Sequence, residues 1–232
     1  MIIGIAGKMN SGKDTVASML NYIISVGKNK AKFSDWVIKQ EAYNNPNNYH
    51  ITYFALGVKS NLSMMLTLPI DIFNNRTYKD ELWYVPSTGE FIEENKTNNY
   101  HKIELENFSE LDTNNKTHII KIRTIIQTYA EQCKTMFGED VWVKCTMANA
   151  VTIDNLYGYC IIPDVRFNEE VKKIWEANGI VIKITRPKEE IASKHISEKA
   201  DVHYNYEILN QSNLSNLFYK VLAIYEQIKT SI

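Results

Sequence analysis

Ile2-Ile3-Gly4-Ile5-Ala6-Gly7-Lys8-Met9-Asn10-Ser11-Gly12-Lys13-Asp14-Thr15 is the stretch that decides the fold. Residues 2–6 form a short apolar run, the pattern of a buried strand. Beyond it, Val16, Met19, Leu20, Ile23 and Ile24 recur at helical spacing and give one apolar face, with Gly27 as a stop. Between strand and helix, Gly7 to Lys13 fits GxxxxGK in the context where that spacing has a mechanism. Glycines let the backbone curl so that its N–H groups point inward at phosphate oxygens. The helix N-terminus adds roughly half a positive charge. Lys13 adds a mobile full charge for the β- and γ-phosphates. Gly7, Asn10, Ser11, Gly12, Lys13, Asp14 and Thr15 are therefore candidate ATP-phosphate ligands. The bland alternative is a glycine-rich turn opening an ordinary helix.

One position breaks the pattern. Asp14 stands where a Ser or Thr usually follows the lysine, and Thr15 comes next. A carboxylate there either holds Mg²⁺, directly or through water, or is only a first-turn charge favoured by the helix dipole. Thr15 remains able to donate to a phosphate. The departure argues against GTPase switches and motor-like ATPases, and it points towards small-molecule kinases.

Working outward, residues 51–56, 157–162, 180–184 and 206–209 read as strands, with Pro163 stopping the second. Residues 58–67, 123–136, 139–150, 167–178 and 213–229 read as helices. Strands alternating with helices predict an α/β fold with a mainly parallel sheet flanked by helices. The stretch from about 70 to 117 is different: Pro86-Ser87-Thr88-Gly89 marks a hairpin, and polar segments follow. It reads as an inserted subdomain on a single domain covering 1–232, without a core of its own.

Composition narrows the function. The chain has 232 residues, 44% hydrophobic and 23% charged, which fits a globular protein and argues against disorder. The net charge of −1 gives no reason to expect a nucleic-acid polymer or a membrane as partner. No apolar run reaches a membrane span, and the N-terminus lacks a basic signal-peptide region. Cys133, Cys145 and Cys160 form no CxxC pair, and an odd count fits a reducing compartment, so a cytoplasmic location is expected. The five histidines have no zinc spacing. Any metal should be a hard cation held by oxygen and phosphate.

A second polar group follows the strand ending near residue 162. Asp164 sits where ligands of open α/β sheets bind and suits Mg²⁺ or its water. Arg166 suits a phosphoryl group, held bidentately, and Glu170, a turn into the next helix, suits orienting either. The alternative is an N-capping Asp with surface Arg and Glu. Arg123 and Gln127 lie four apart, so they share a helix face; Arg suits a phosphate and Gln a base edge, unless that face is merely solvated. Trp142 either stacks on a base or packs. His195-Ile196-Ser197-Glu198 alone would be a turn.

Together these pieces resemble the phage deoxynucleoside monophosphate kinase family, a branch of the phosphate-loop NMP kinases. The shared motifs are Gly7 to Thr15, Phe54-Ala55 with Lys59, and Arg123-xxx-Gln127 with Trp142-Val143 downstream. Asp164-Val165-Arg166-Phe167 with Glu170, then Arg186-Pro187 and His195 to Glu198, complete the order. The family often has Gly-Thr where Ala130-Glu131 stand here, and residues 70–117 match no motif. The resemblance implies a P-loop NTPase fold and the reaction ATP + dNMP → ADP + dNDP, with Mg²⁺ as cofactor. Lys13, Arg123, Asp164 and Arg166 would be catalytic, with Asp14 and Asp164 at the metal. Arg123, Gln127, Trp142, Arg166, Glu170 and Glu198 would bind the acceptor, with Lys134 assisting and a lid near 128–140. The insertion at about 70–117 would take part in acceptor choice. The resemblance also implies a homodimer and, for a phage protein, the host cytoplasm. The alternatives are a P-loop kinase for another small phosphorylated acceptor, such as a phosphomevalonate-type kinase, and a module that binds or hydrolyses ATP without an acceptor.

Overall fold

The computed structural model describes residues 1–42, 49–187 and 202–231. In chain order the first elements are β1 (Ile2–Ala6), α1 (Lys13–Ser25), α2 (Phe33–Ala42), α3 (Leu56–Leu66), α4 (Ile70–Asn74) and α5 (Arg76–Asp80). Next come β2 (Leu82–Tyr84), β3 (Phe91–Glu93), β4 (His101–Lys102), β5 (His118–Lys121), α6 (Ile122–Phe137) and α7 (Val141–Tyr157). The chain closes with β6 (Cys160–Val165), α8 (Asn168–Glu176), β7 (Ile180–Thr185), β8 (Tyr206–Leu209) and α9 (Leu214–Ser231). These divide into two compact units, Met1–Phe54 with Cys145–Ile232, and Ala55–Lys144.

The first unit is a mixed α/β body around a parallel four-stranded sheet in the order β6-β1-β7-β8. A parallel sheet buried on both faces needs near-continuous apolar strands, and every residue of β1 is buried. Ile3 and Ile5 point to the face covered by α1 and α9, where Met19, Leu20, Phe218 and Val221 close the core. Gly4 points to the other face. There α8 comes so close that a Cβ on Gly4 would lie 2.6 Å from Ile174 Cδ1. β1 lies between β6 and β7, so the chain crosses from one side of β1 to the other. In open α/β sheets the crevice for ligands forms at such a switch, beyond the carboxyl ends of the strands.

Two sequence expectations fail here, both because of tertiary surroundings. Residues 51–56 are not a strand: Ile51 makes one parallel bridge with Ile161, and α3 begins at Leu56. The segment is held by other bonds, Thr52 N–H to the Ile161 carbonyl (3.0 Å) and Asn149 Nδ2 to Thr52 Oγ1 (2.9 Å). Pro163 does not stop β6, which runs on to Val165. β6 lies at the end of the four-stranded order, and its register with β1 shifts between Gly4 and Ala6. A proline is tolerated at such a break, where no ladder N–H is required.

The second unit holds a sheet in the order β3-β2-β5-β4. Its hairpin joins Tyr84 to Phe91 through the expected turn, where the Val85 N–H donates to the Glu90 carbonyl (2.9 Å). Phe73, Tyr84 and Leu105 from the inserted stretch share one cluster with Val58 and Leu62 of α3 and Ile122 and Ile125 of α6. No helix among the described residues is long and apolar enough to cross a membrane.

Candidate active site

The Gly7–Gly12 turn occupies the carboxyl end of β1. Gly7, Asn10 and Gly12 have φ of 150°, 61° and 99°, so the chain curls through backbone space that favours glycine. Gly7 is also packed: an added Cβ would lie 2.5 Å from the Ile184 carbonyl oxygen. Gly12 is the N-cap of α1, and among the described residues no side chain caps that helix. Its first turn therefore presents backbone donors, the arrangement that attracts anions. Lys13 folds back over the turn and its Nζ donates to the carbonyls of Gly7 (2.6 Å) and Lys8 (2.7 Å). Ser11 is buried, and its hydroxyl has no partner among the described residues. Asp14 is exposed in the first turn of α1, with Thr15 half-buried beside it.

Three further strand ends reach the same edge of the sheet. At the end of β6, Asp164 accepts a hydrogen bond from the Phe54 N–H (2.9 Å) and does not cap α8, whose N-cap is Phe167. Asp14 and Asp164 both act on one neighbour. Burial pushes the Tyr53 hydroxyl up to about 12, and the negative charges of Asp14 and then Asp164 push the same way. Arg166 is exposed just beyond Asp164. At the ends of β7 and β8, Arg186 Nη1 donates to the Asn10 carbonyl (3.4 Å) and Asn210 Nδ2 to the Ser11 carbonyl (2.9 Å). Beside them lies a cleft of about 390 Å³, lined among the described residues by Arg186, Pro187, Asn210, Gln211 and Ser212.

Glu170 is buried at 6% exposure, and its Oε2 accepts from the N–H groups of Arg166 (2.6 Å) and Phe167 (3.0 Å). Burial raises its carboxyl to about 7; the two backbone bonds oppose this, Asp164 adds to it, and Arg166 opposes it. Between the ordinary 4.5 and about 7 the folded protein keeps a proton that the unfolded chain releases. The stability this contributes is present at low pH and is lost as pH rises through about 7. Urea unfolding over this range should show wild type losing stability against Glu170→Gln, on the order of 1–3 kcal/mol. A pH-independent gap between the two would contradict it.

The second unit carries the other expected residues. Arg123 and Gln127 share the exposed face of α6. The Arg123 fork is engaged by Asp80, with Nη2 to Oδ2 at 2.9 Å, and that pairing holds the Asp80 carboxyl below the usual carboxylate range. Trp142 is half-buried, packs on Tyr129 and donates its indole N–H to the Ala130 carbonyl (3.1 Å). Of its two readings, packing is what the structure describes. Lys134 pairs with Glu131 (2.7 Å). Residues 128–140 comprise the later turns of α6 and the Gly138 turn into α7. Glu198, with the rest of His195 to Glu198, lies outside the described residues.

Among the described residues no three His, Cys, Asp or Glu side chains are grouped to hold a metal ion. The family model described as deoxynucleotide monophosphate kinase matches residues 1–221. The chain belongs to that family. No curated protein matches it. Membership makes the chain a kinase, a phosphotransferase acting on nucleotides. In the sequence, Arg186 belongs to a shared motif that carries no role, and Asn210 is unmarked. An Asn one residue past a short strand has no periodic or motif signal; only the sheet brings it to the Ser11 carbonyl.

Proposed function

We propose that this kinase transfers the γ-phosphate of ATP to a deoxynucleoside monophosphate, giving ADP and dNDP, on a P-loop NTPase fold. The observation that carries the reading is the Gly7–Gly12 turn. It has three left-handed or glycine-like residues, an uncapped helix behind it and Lys13 folded over it, at the carboxyl edge of a parallel sheet. Phosphoryl transfer asks little covalent chemistry of a protein and much positioning and charge. The loop amides and Lys13 would hold the β- and γ-phosphates. The cleft along Arg186, Pro187 and Asn210 is suited to the nucleoside end of the donor, since it adjoins the loop. Arg166, at the same edge, would receive the acceptor phosphate; Arg123 and Gln127 are the corresponding candidates in the second unit. The protein is expected in the cytoplasm and is proposed to act as a homodimer, both on family grounds.

Mg²⁺ fits the residues present. Asp14 and Asp164 are hard oxygen donors that act on one hydroxyl, and one or two carboxylates plus phosphate oxygens are the usual Mg²⁺ set. When bound, the ion would offset charge on the β- and γ-phosphates. Asp14→Asn should then cut turnover and raise the Mg²⁺ requirement, leaving thermal stability nearly unchanged. If Asp14 is only a helix-start charge, activity should stay intact with a loss of about 0.3–1 kcal/mol.

An acceptor panel tests the function. ADP release from ATP is followed with each deoxy- and ribonucleoside monophosphate and with phosphomevalonate. Stimulation by deoxynucleoside monophosphates is expected. Stimulation by phosphomevalonate alone, or turnover that no acceptor changes, would replace this reading with another small-molecule kinase or with an acceptor-free ATPase.

A further inference from the structure

Asn210 stands one residue beyond β8, yet it is bonded to a turn 199 residues earlier in the chain. Hydrogen bonds fix its placement. Its own N–H donates to the Thr185 carbonyl (2.8 Å), extending the β7–β8 ladder by one step. From α9, Lys220 Nζ bonds the preceding carbonyl, that of Leu209 (2.6 Å). The side chain then donates from Nδ2 to the Ser11 carbonyl at 2.9 Å. Its amide nitrogen also comes close to Gly12: a Cβ there would be 2.7 Å from Asn210 Nδ2.

A trans peptide is planar, so fixing its carbonyl fixes the opposite N–H. With the Ser11 carbonyl held towards Asn210, the Gly12 N–H, in the same peptide plane, must point the opposite way. Gly12, with φ of 99°, lacks the steric restraint that would hold most residues to one orientation. The restraint at this flexible junction comes from outside the turn. Asn210 also lines the cleft beside the turn, so one side chain touches both regions.

We infer that Asn210 is a positioning residue for phosphoryl transfer, setting the Ser11–Gly12 peptide from the end of β8 so that the Gly12 N–H meets a donor phosphate. This rests on the phosphate-loop reading of Gly7 to Lys13. Its effect reaches the transferred group through the loop, and does not require contact with the base or sugar.

Inorganic tripolyphosphate separates these possibilities, because it has phosphates and no nucleoside. Binding of magnesium tripolyphosphate and of magnesium ATP is measured by calorimetry for wild type, Asn210→Ala and Asn210→Asp, alongside kcat, both KM values and thermal melting. Asn210→Ala should weaken both ligands by a similar factor, roughly 5- to 10-fold for one lost hydrogen bond. Asn210→Asp, unable to donate and placing a carboxylate against the Ser11 carbonyl, should weaken them further. It matches the native side chain in size and carries the test if Asn210→Ala does not fold. The kcat at saturation should fall with the acceptor KM unchanged. Tripolyphosphate binding equal to wild type, with ATP alone weakened, would overturn the inference and make Asn210 a nucleoside contact. A lowered melting temperature with both affinities intact would also overturn it, leaving a structural role. Wild type binding neither ligand would instead remove the phosphate-loop reading itself.

Discussion

Lys13→Ala should remain folded and lose turnover by a factor of at least about 10²–10³, the usual consequence of removing one transition-state donor. The side chain leaves the first residue of α1 and bonds backbone carbonyls of the turn, those of Gly7 and Lys8. Both carbonyls belong to the turn at the sheet edge and not to the apolar core of the first unit. Melting temperature and steady-state turnover, measured on the same preparation, check both halves. Near-normal turnover in a folded variant would remove Lys13 from the chemistry and the Gly7–Gly12 turn from phosphate binding.

Arg166 should give the second large effect. An acceptor monophosphate carries about two negative charges at neutral pH and must approach an already anionic triphosphate. Lys13 and one divalent ion cannot offset both, so a further fixed cation is needed. Arg166 follows the end of β6, and its backbone N–H is held by buried Glu170. A guanidinium fork binds two oxygens and fixes direction, which an ammonium does not. Arg166→Ala should therefore lower transfer to the acceptor by about 10²–10³ while ATP affinity changes little. Arg166→Lys should recover only a small part of it. Parallel loss of ATP affinity would place Arg166 on the donor. Arg123→Ala is expected to act in the same sense, although its fork is already turned by Asp80.

What the sequence makes legible follows from how local each cause is. The β1–turn–α1 unit is readable because apolar runs, glycine and helical spacing all act within 25 residues, and they agree. The hairpin at 84–91 is readable for the same reason. The apparent strand at 51–56 misleads because its apolar pattern is real but its hydrogen bonds go to Asn149, Ile161 and Asp164, all distant in sequence. Pro163 misleads because a proline's effect depends on strand position and register, which residues alone do not display. In the site, Glu170 is visible as a polar residue one turn into α8, while its burial and its two backbone bonds are tertiary facts. Asp80, which holds Arg123, is an unmarked acid in the inserted stretch, and Asn210 an unmarked Asn after a strand.

The most direct measurement follows the label from γ-labelled ATP when the protein is incubated with Mg²⁺ and each deoxynucleoside monophosphate. The account predicts label in the β-position of a deoxynucleoside diphosphate, formed one-for-one with ADP and absent with Lys13→Ala. Label appearing only in inorganic phosphate, at a rate no deoxynucleoside monophosphate alters, would contradict it.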